Sequence, residues 1–153
     1  MHQFFATVAW QRDGQDFASQ RYSRGHEWQF DGGLTVPASS SPLSVPLPMS
    51  VAANIDPEEA LVAATSSCHM LFFLSLAAQR GVVIDDYRDD AVGELGKNAQ
   101  GRLAMTRIVL RPRIAFAGTP PSPEALAALH HDAHERCYIA NSLTADVVVE
   151  GAA

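Results

Sequence analysis

Cysteine and basic residues are both scarce in this sequence. Its 153 residues contain two cysteines, Cys68 and Cys137, too few for a fold held together by a disulfide scaffold. Lys and Arg total 11 against 17 Asp and Glu, giving a net charge of −6 that repels phosphate backbones, so we expect no nucleic-acid partner. Met1 is followed by no basic or apolar segment of the signal-peptide kind, which favours a cytoplasmic location. In that reducing compartment, two thiols are either redox-active or plain core residues.

Long hydrophobic runs are also rare. Residues 60–78 are predominantly apolar, lack a charged side chain and are long enough to span a membrane. Ser, Thr and His residues interrupt this run, so we favour a buried helix and expect no membrane partner. The composition, 47% apolar and 18% charged, is typical of a globular chain. A length of 153 residues predicts a single domain over 1–153.

Sequence patterns divide the first half of the chain into strands, a loop and a helix. Residues 1–33 alternate apolar and polar side chains around turn residues, which predicts N-terminal strands. Residues 34–55 are rich in Ser and Pro, which predicts an extended loop. A central helix is predicted over 56–81, because Asp56 is a good N-cap and Glu59 completes a capping box.

Residues 82–153 are predicted to contain strands, a second helix and a final strand. Two alternating segments, 82–95 and 103–116, predict strands around a turn, with Pro112 at an edge or a bulge. The second helix is predicted to open at Ser122, which is followed by a proline. This order of elements indicates an α+β fold.

Cys68 lies well inside the predicted central helix, too far from its first turn for the helix dipole to activate the thiol. A reactive thiolate there needs a cation from elsewhere in the fold, and a small core residue is the alternative. Arg24 is a candidate because it alternates onto the predicted inward face with Tyr22 and Trp28, and residues 25–67 contain no Lys or Arg. Otherwise Arg24 is an edge residue whose stem covers apolar surface while its head reaches water.

Glu58 is a candidate partner for Arg24, since Glu59 is already engaged in the predicted helix cap. Ten residues along a continuous helix span roughly 15 Å. Glu58 could therefore act on Cys68 only through an arginine bridge or across a dimer interface. His26 lies on the same predicted strand face as Arg24 and could share or modify its role.

Three residues of the second predicted helix have a spacing compatible with metal ligation: His130, His134 and Cys137 lie at i, i+4 and i+7. No other cysteine lies near them in sequence to complete a ligand set, so we expect no metal. A mixed polar face near a helix C-terminus is the preferred interpretation. His69 follows Cys68 directly and points about 100° away around the helix, which argues against an intrahelical Cys–His pair.

Two stretches resemble signatures of the OsmC/Ohr family of thiol-dependent hydroperoxide reductases. The first is Asp-Pro-Glu-Glu-Ala-Leu at 56–61, running into Ser-Cys-His-Met at 67–70. The second is His-Glu-Arg-Cys at 134–137, continuing through Ile-Ala-Asn-Ser at 139–142. The local sequences around Arg24 and Cys68 are similar to a less characterised branch of that family.

The resemblance implies an OsmC-like fold, with antiparallel strands around a long buried central helix, and an intertwined homodimer. It implies that Cys68 is the peroxidatic thiolate and Cys137 the resolving thiol, and that an arginine and Glu58 hold the thiolate charged. We assign Arg24 as that arginine from its predicted inward face, and His26, on the same face, is the substrate-binding candidate. The implied activity is that of a peroxidase acting on organic hydroperoxides with a thiol reductant and no cofactor. The alternative is a non-catalytic binding or sensing domain on the same fold, with inert buried cysteines.

Overall fold

The structure, a computed structural model, describes residues 1–151 of the chain. Two compact units are distinguished, one formed by residues 1–60 and the other beginning at Leu61. The expectation of a single domain over 1–153 stays a prediction.

The first unit contains a three-stranded antiparallel sheet. Its strands are β1 (Ala6–Ala9), β2 (His26–Phe30) and β3 (Thr35–Ala38), in that spatial order. The strand expected around Arg24 begins only at His26, so Arg24 precedes the sheet. The segment predicted as loop contains β3, an edge strand, where Pro37 removes no interior hydrogen bond of the sheet.

Helix α1 (Pro57–Gln79) starts where the local sequence predicted. The Glu59 amide donates to Asp56 Oδ1 at 2.8 Å, and the Asp56 amide donates back to Glu59 Oε2 at 3.2 Å. This reciprocal pair satisfies two amides that have no partner within the helix. The helix ends before Gly81, whose φ of 72° is accessible at little cost only without a Cβ.

Along α1, burial follows one stripe of the helix. The stripe contains Thr65, His69, Phe73, Leu76 and Ala77. The other side chains of the helix are half-buried or exposed. Among the described residues, α1 is the one helix long and apolar enough to cross a membrane. Core helices of soluble proteins can have the same length and apolar composition, so these two properties alone are weak support for a membrane span.

The second unit holds the strands that follow α1, arranged in two sheets. Strands β4 (Ile84–Asp89) and β7 (Pro112–Phe116) form an antiparallel pair. In the other sheet, β6 (Leu103–Leu110) pairs antiparallel with β5 (Val92–Lys97) and parallel with β8 (Asp146–Val149). The β6–β8 pair is parallel, whereas the other strand pairs are antiparallel, as the resemblance implied.

Each of the two segments predicted as one strand is split in two by a tertiary contact. The first segment breaks after Asp89 and the second at Arg111, and the Arg111 amide donates to Asp89 Oδ1 at 2.6 Å. Pro112 opens β7 directly after this break. Because Asp89 and Arg111 are far apart in sequence, local alternation could not place either break.

Helix α2 (Pro123–Arg136) packs against α1 to form the core of the second unit. The Ser122 hydroxyl accepts from the Ala125 amide at 3.2 Å and caps the helix, as its position predicted. The buried core residues come from both helices: Phe73, Leu76 and Ala77 from α1, and Leu126, Leu129 and Ala133 from α2. This helix pair carries the two cysteines.

Gly93 of β5 allows a close approach to α1, and replacing it with alanine should destabilise the second unit. A Cβ at this position would overlap the Met105 methyl group and Val62. We expect Gly93→Ala to lower the free energy of unfolding by roughly 1–3 kcal/mol in denaturant titrations. Gly32→Ala is the control, because no atom lies within 4 Å of its added Cβ. Equal unfolding midpoints for the two variants would contradict this prediction.

Candidate active site

The two cysteines meet at the junction of α1 and the C-terminal end of α2. Cys68 is half-buried on α1, whereas Cys137 is fully buried and forms the C-cap of α2. Both are free thiols, and Cys68 lies close enough to Cys137 to raise its pKa. A disulfide between them requires that their Cα atoms lie within about 7 Å of each other.

Cys137 has the electrostatic character of a protonated thiol at neutral pH. Burial raises its pKa to about 11, and contact with Cys68 acts in the same direction. The Ala140 amide, which donates to Cys137 Sγ at 3.4 Å, opposes this rise by stabilising the thiolate. This amide belongs to a short 3₁₀ helix, Ala140–Ser142, which is separated from the end of α2 by residues 137–139.

An apolar cavity of about 460 Å³ lies beside Cys68. Residues of α1 and the two residues after Cys137 line it, and none of the lining side chains within residues 1–151 is charged. The Tyr138 ring meets Phe72 edge to face, with centroids 5.1 Å apart. The larger part of the lining is Ala64, Leu71, Phe72, Tyr138 and Ile139. Such a cavity favours an uncharged apolar ligand next to the thiol.

Arg24 is half-buried in the first unit and bound to its own segment. Its guanidinium donates to the carbonyl oxygens of Gln20 at 2.9 Å and Tyr22 at 2.5 Å. The Arg24 Cζ atom also lies 3.6 Å from the centroid of the Tyr22 ring, a cation–π contact. Within residues 1–151 Arg24 forms no ion pair with Glu58.

Glu58 and His26 are the other predicted site residues of the first unit. Glu58 lies in the first turn of α1, and its Oε2 is buried with no hydrogen-bond partner among the described residues. An unpaired buried carboxylate oxygen is costly, so it favours a cationic partner. His26 is occupied on both ring nitrogens: Nδ1 lies 2.7 Å from the Arg24 carbonyl oxygen, and the Trp28 indole donates to Nε2 at 3.0 Å.

A buried histidine pair next to the cysteines was not anticipated from the sequence. His69 Nε2 lies 3.0 Å from His130 Nδ1, and the two rings stack with centroids 5.4 Å apart. His130 therefore faces α1, and no group of three or more His, Cys, Asp or Glu within residues 1–151 is arranged to hold a metal ion. The sequence did contain one indication that His130 is buried, because helical spacing places it on the same face as Leu126, Leu129 and Ala133.

The fold and the thiol pair together define a class of proteins. These are α+β proteins that carry one thiol on a long helix and a second thiol at the end of another helix. The OsmC-like protein family matches residues 51–151, and the chain belongs to that family. No curated protein matches the chain.

Solved structures extend this result to the fold of the whole chain. An OsmC-like protein of unknown function from Vibrio cholerae is 52% identical, with a TM-score of 0.95, and the match covers 98% of this chain and 99% of that one. An organic hydroperoxide resistance protein from Elizabethkingia anophelis is 16% identical, with a TM-score of 0.69 and coverage of 97% and 96%. The organic hydroperoxide resistance protein OhrB of Bacillus subtilis is 18% identical, with a TM-score of 0.65 and coverage of 97% of each chain. The expected OsmC-like α+β fold is thus confirmed.

Proposed function

We propose that this protein is a thiol-dependent peroxidase that reduces organic hydroperoxides to alcohols. The observation that carries the proposal is the proximity of Cys68 to Cys137 beside a cavity whose lining, in the described part of the chain, is uncharged. A hydroperoxide with an apolar substituent would place the substituent in the cavity and its O–O bond at Cys68. The names of the Elizabethkingia and Bacillus proteins agree with this activity.

The proposed reaction has two balanced steps. The Cys68 thiolate attacks the terminal oxygen of the hydroperoxide, so that an S–O bond forms and the O–O bond breaks. The transferred oxygen keeps its proton in the sulfenic acid, and the leaving alkoxide becomes the alcohol by taking from water the proton that Cys68 lost on ionisation. Cys137 then attacks the resulting sulfenic acid, so that an S–S bond forms and water leaves with the Cys137 proton. An external thiol reductant returns the disulfide to two thiols.

In this proposed reaction, Arg24 and Glu58 activate Cys68. A guanidinium would keep the Cys68 sulfur charged, and the unpaired Glu58 oxygen would hold that guanidinium. For this role Arg24 would have to exchange its present contacts with Gln20 and Tyr22 for Glu58 and the Cys68 sulfur. His26 is a candidate for orienting the peroxide, provided that it gives up one of its two hydrogen bonds.

We further propose that the active form is a cytoplasmic homodimer. Every residue of β1 is exposed in the single chain, and large apolar side chains are exposed in both units. Examples are Phe4 at 93%, Val8 at 66% and Leu71 at 60%. A second copy that covered these side chains would remove apolar surface from water.

Stoichiometric oxidation tests the proposed function. Reduced protein is mixed with one equivalent of cumene hydroperoxide or of hydrogen peroxide, and free thiols, disulfide and product alcohol are counted. We expect one alcohol and one Cys68–Cys137 disulfide per chain, with cumene hydroperoxide the faster substrate because its ring fits the apolar cavity. In Cys137→Ser, the reaction should stop at a sulfenic acid on Cys68 that dimedone traps.

Inert thiols would overturn this proposal. If both cysteines survive a peroxide excess and are alkylated only after denaturation, the non-catalytic binding or sensing domain becomes the better interpretation.

A further inference from the structure

The buried histidine pair joins the two helices that carry the thiols. His69 is the residue after Cys68 on α1, and His130 lies two helical turns before Cys137 on α2. Their side chains are 1% and 4% exposed, and the Phe73 ring packs on His130 with centroids 4.4 Å apart. The contact between these two rings therefore links α1 to α2 inside the core, near Cys68 in the sequence of one helix and before Cys137 in the other.

The bond requires that one of the two facing nitrogens carry no proton. If both His69 Nε2 and His130 Nδ1 were protonated, two N–H groups would face each other at 3.0 Å. The remaining nitrogens, His69 Nδ1 and His130 Nε2, are buried without a partner among residues 1–151. Among these residues no hydrogen-bond acceptor is therefore in place to stabilise a positively charged ring. The hydrogen bond between the two rings thus requires that both rings be neutral.

The surroundings of the pair oppose protonation more than they favour it. On α2, His134 adds repulsion when it is charged, whereas Asp89 on β4 attracts a proton. Asp89 already accepts bonds from the Ser66 hydroxyl and the Arg111 amide. Tyr87, also on β4, packs against Phe73 and contributes a neutral hydroxyl. Burial is the main reason that the pKa of each ring falls from 6.5 to about 4.

We propose that His69 and His130 are positioning residues for the thiol pair: while both rings are neutral, their hydrogen bond holds Cys68 and Cys137 within reach of each other, and acid releases this constraint. The role goes beyond the proposed peroxidase activity, since it concerns how readily the two thiols form a disulfide with any oxidant.

The test measures disulfide formation without a peroxide. The protein is equilibrated with oxidised and reduced dithiothreitol, in which the two thiols pass two electrons and two protons to the cyclic disulfide reagent. A diselenide catalyst keeps the exchange fast in acid. His130→Phe keeps a ring to stack on Phe73 but removes the bond, so the equilibrium constant for the Cys68–Cys137 disulfide should fall about tenfold at pH 7.

Matched variants separate positioning from a general packing effect. In the double variant His69→Gln/His130→Asn, amides replace the two bonding nitrogens and cannot be protonated in this range. It should stay within about twofold of wild type at pH 7. Between pH 7 and pH 4 the wild-type constant should fall about threefold relative to this double variant. His131→Gln, at the exposed neighbouring position, should behave as wild type.

Two results would overturn the inference. One is a His130→Phe constant equal to that of wild type, and the other is the same pH profile for wild type and the double variant. If His130→Phe does not fold, the inference is tested by the pH profiles of wild type and the double variant alone. Because no peroxide is used, the outcome is independent of whether the proposed peroxidase activity holds.

Discussion

Replacing Cys68 with serine should lower the rate of organic hydroperoxide reduction by at least about a thousandfold. A serine hydroxyl is not ionised near neutral pH and forms no sulfenic acid, so the first step loses its nucleophile. The measurement is consumption of cumene hydroperoxide by the purified protein with a dithiol as the reductant. Cys68 is only half-buried and lines the cavity, so the substitution should leave the fold intact.

Cys137→Ser provides the matched control for this prediction. Its first turnover should be within about twofold of wild type, because Cys137 does not attack the peroxide. Later turnovers should slow unless the external thiol reaches the Cys68 sulfenic acid. Unchanged peroxide consumption in Cys68→Ser would refute the assignment of Cys68, even if the family activity were present.

Acidification should destabilise the folded chain strongly through the same histidine pair. The unfolded histidines take up protons below about pH 6.5, whereas the buried rings have a pKa of about 4. The unfolded state therefore binds more protons in this window, so stability is complete above about pH 7 and is lost as the pH falls toward 4. The expected loss at pH 4 is about 3 kcal/mol for each ring, an appreciable fraction of the stability of a typical domain.

Urea titrations at pH 7, 5 and 4 test this expectation. The double variant His69→Gln/His130→Asn should lose less stability in acid than wild type, because its amides do not titrate. His131→Gln should follow wild type closely, since that side chain is exposed. Equal acid sensitivity of wild type and the double variant would assign the loss to other groups, such as carboxylates.

Features set by neighbouring residues were predicted well from the sequence. The start of α1 depends on Asp56 and Glu59, and the start of α2 on Ser122, so both caps are decided within four residues of chain. The OsmC-like family was also identified from short segments, which carry the acidic helix start and the two cysteines. Strand limits were predicted less well, because the contact of Asp89 with Arg111 interrupts both alternating patterns.

The sequence alone therefore determined the class of fold, the family and the two thiols, since helix caps, alternation and short motifs are local. The tertiary structure alone decided which buried groups meet. It brought His69 to His130 across 61 positions of the chain, and it placed the Cys137 thiol against Cys68. It also left Arg24 bound to Gln20 and Tyr22 and one Glu58 oxygen without a partner. These outcomes depend on how α1 and α2 pack and on where the chain turns, which no local pattern encodes.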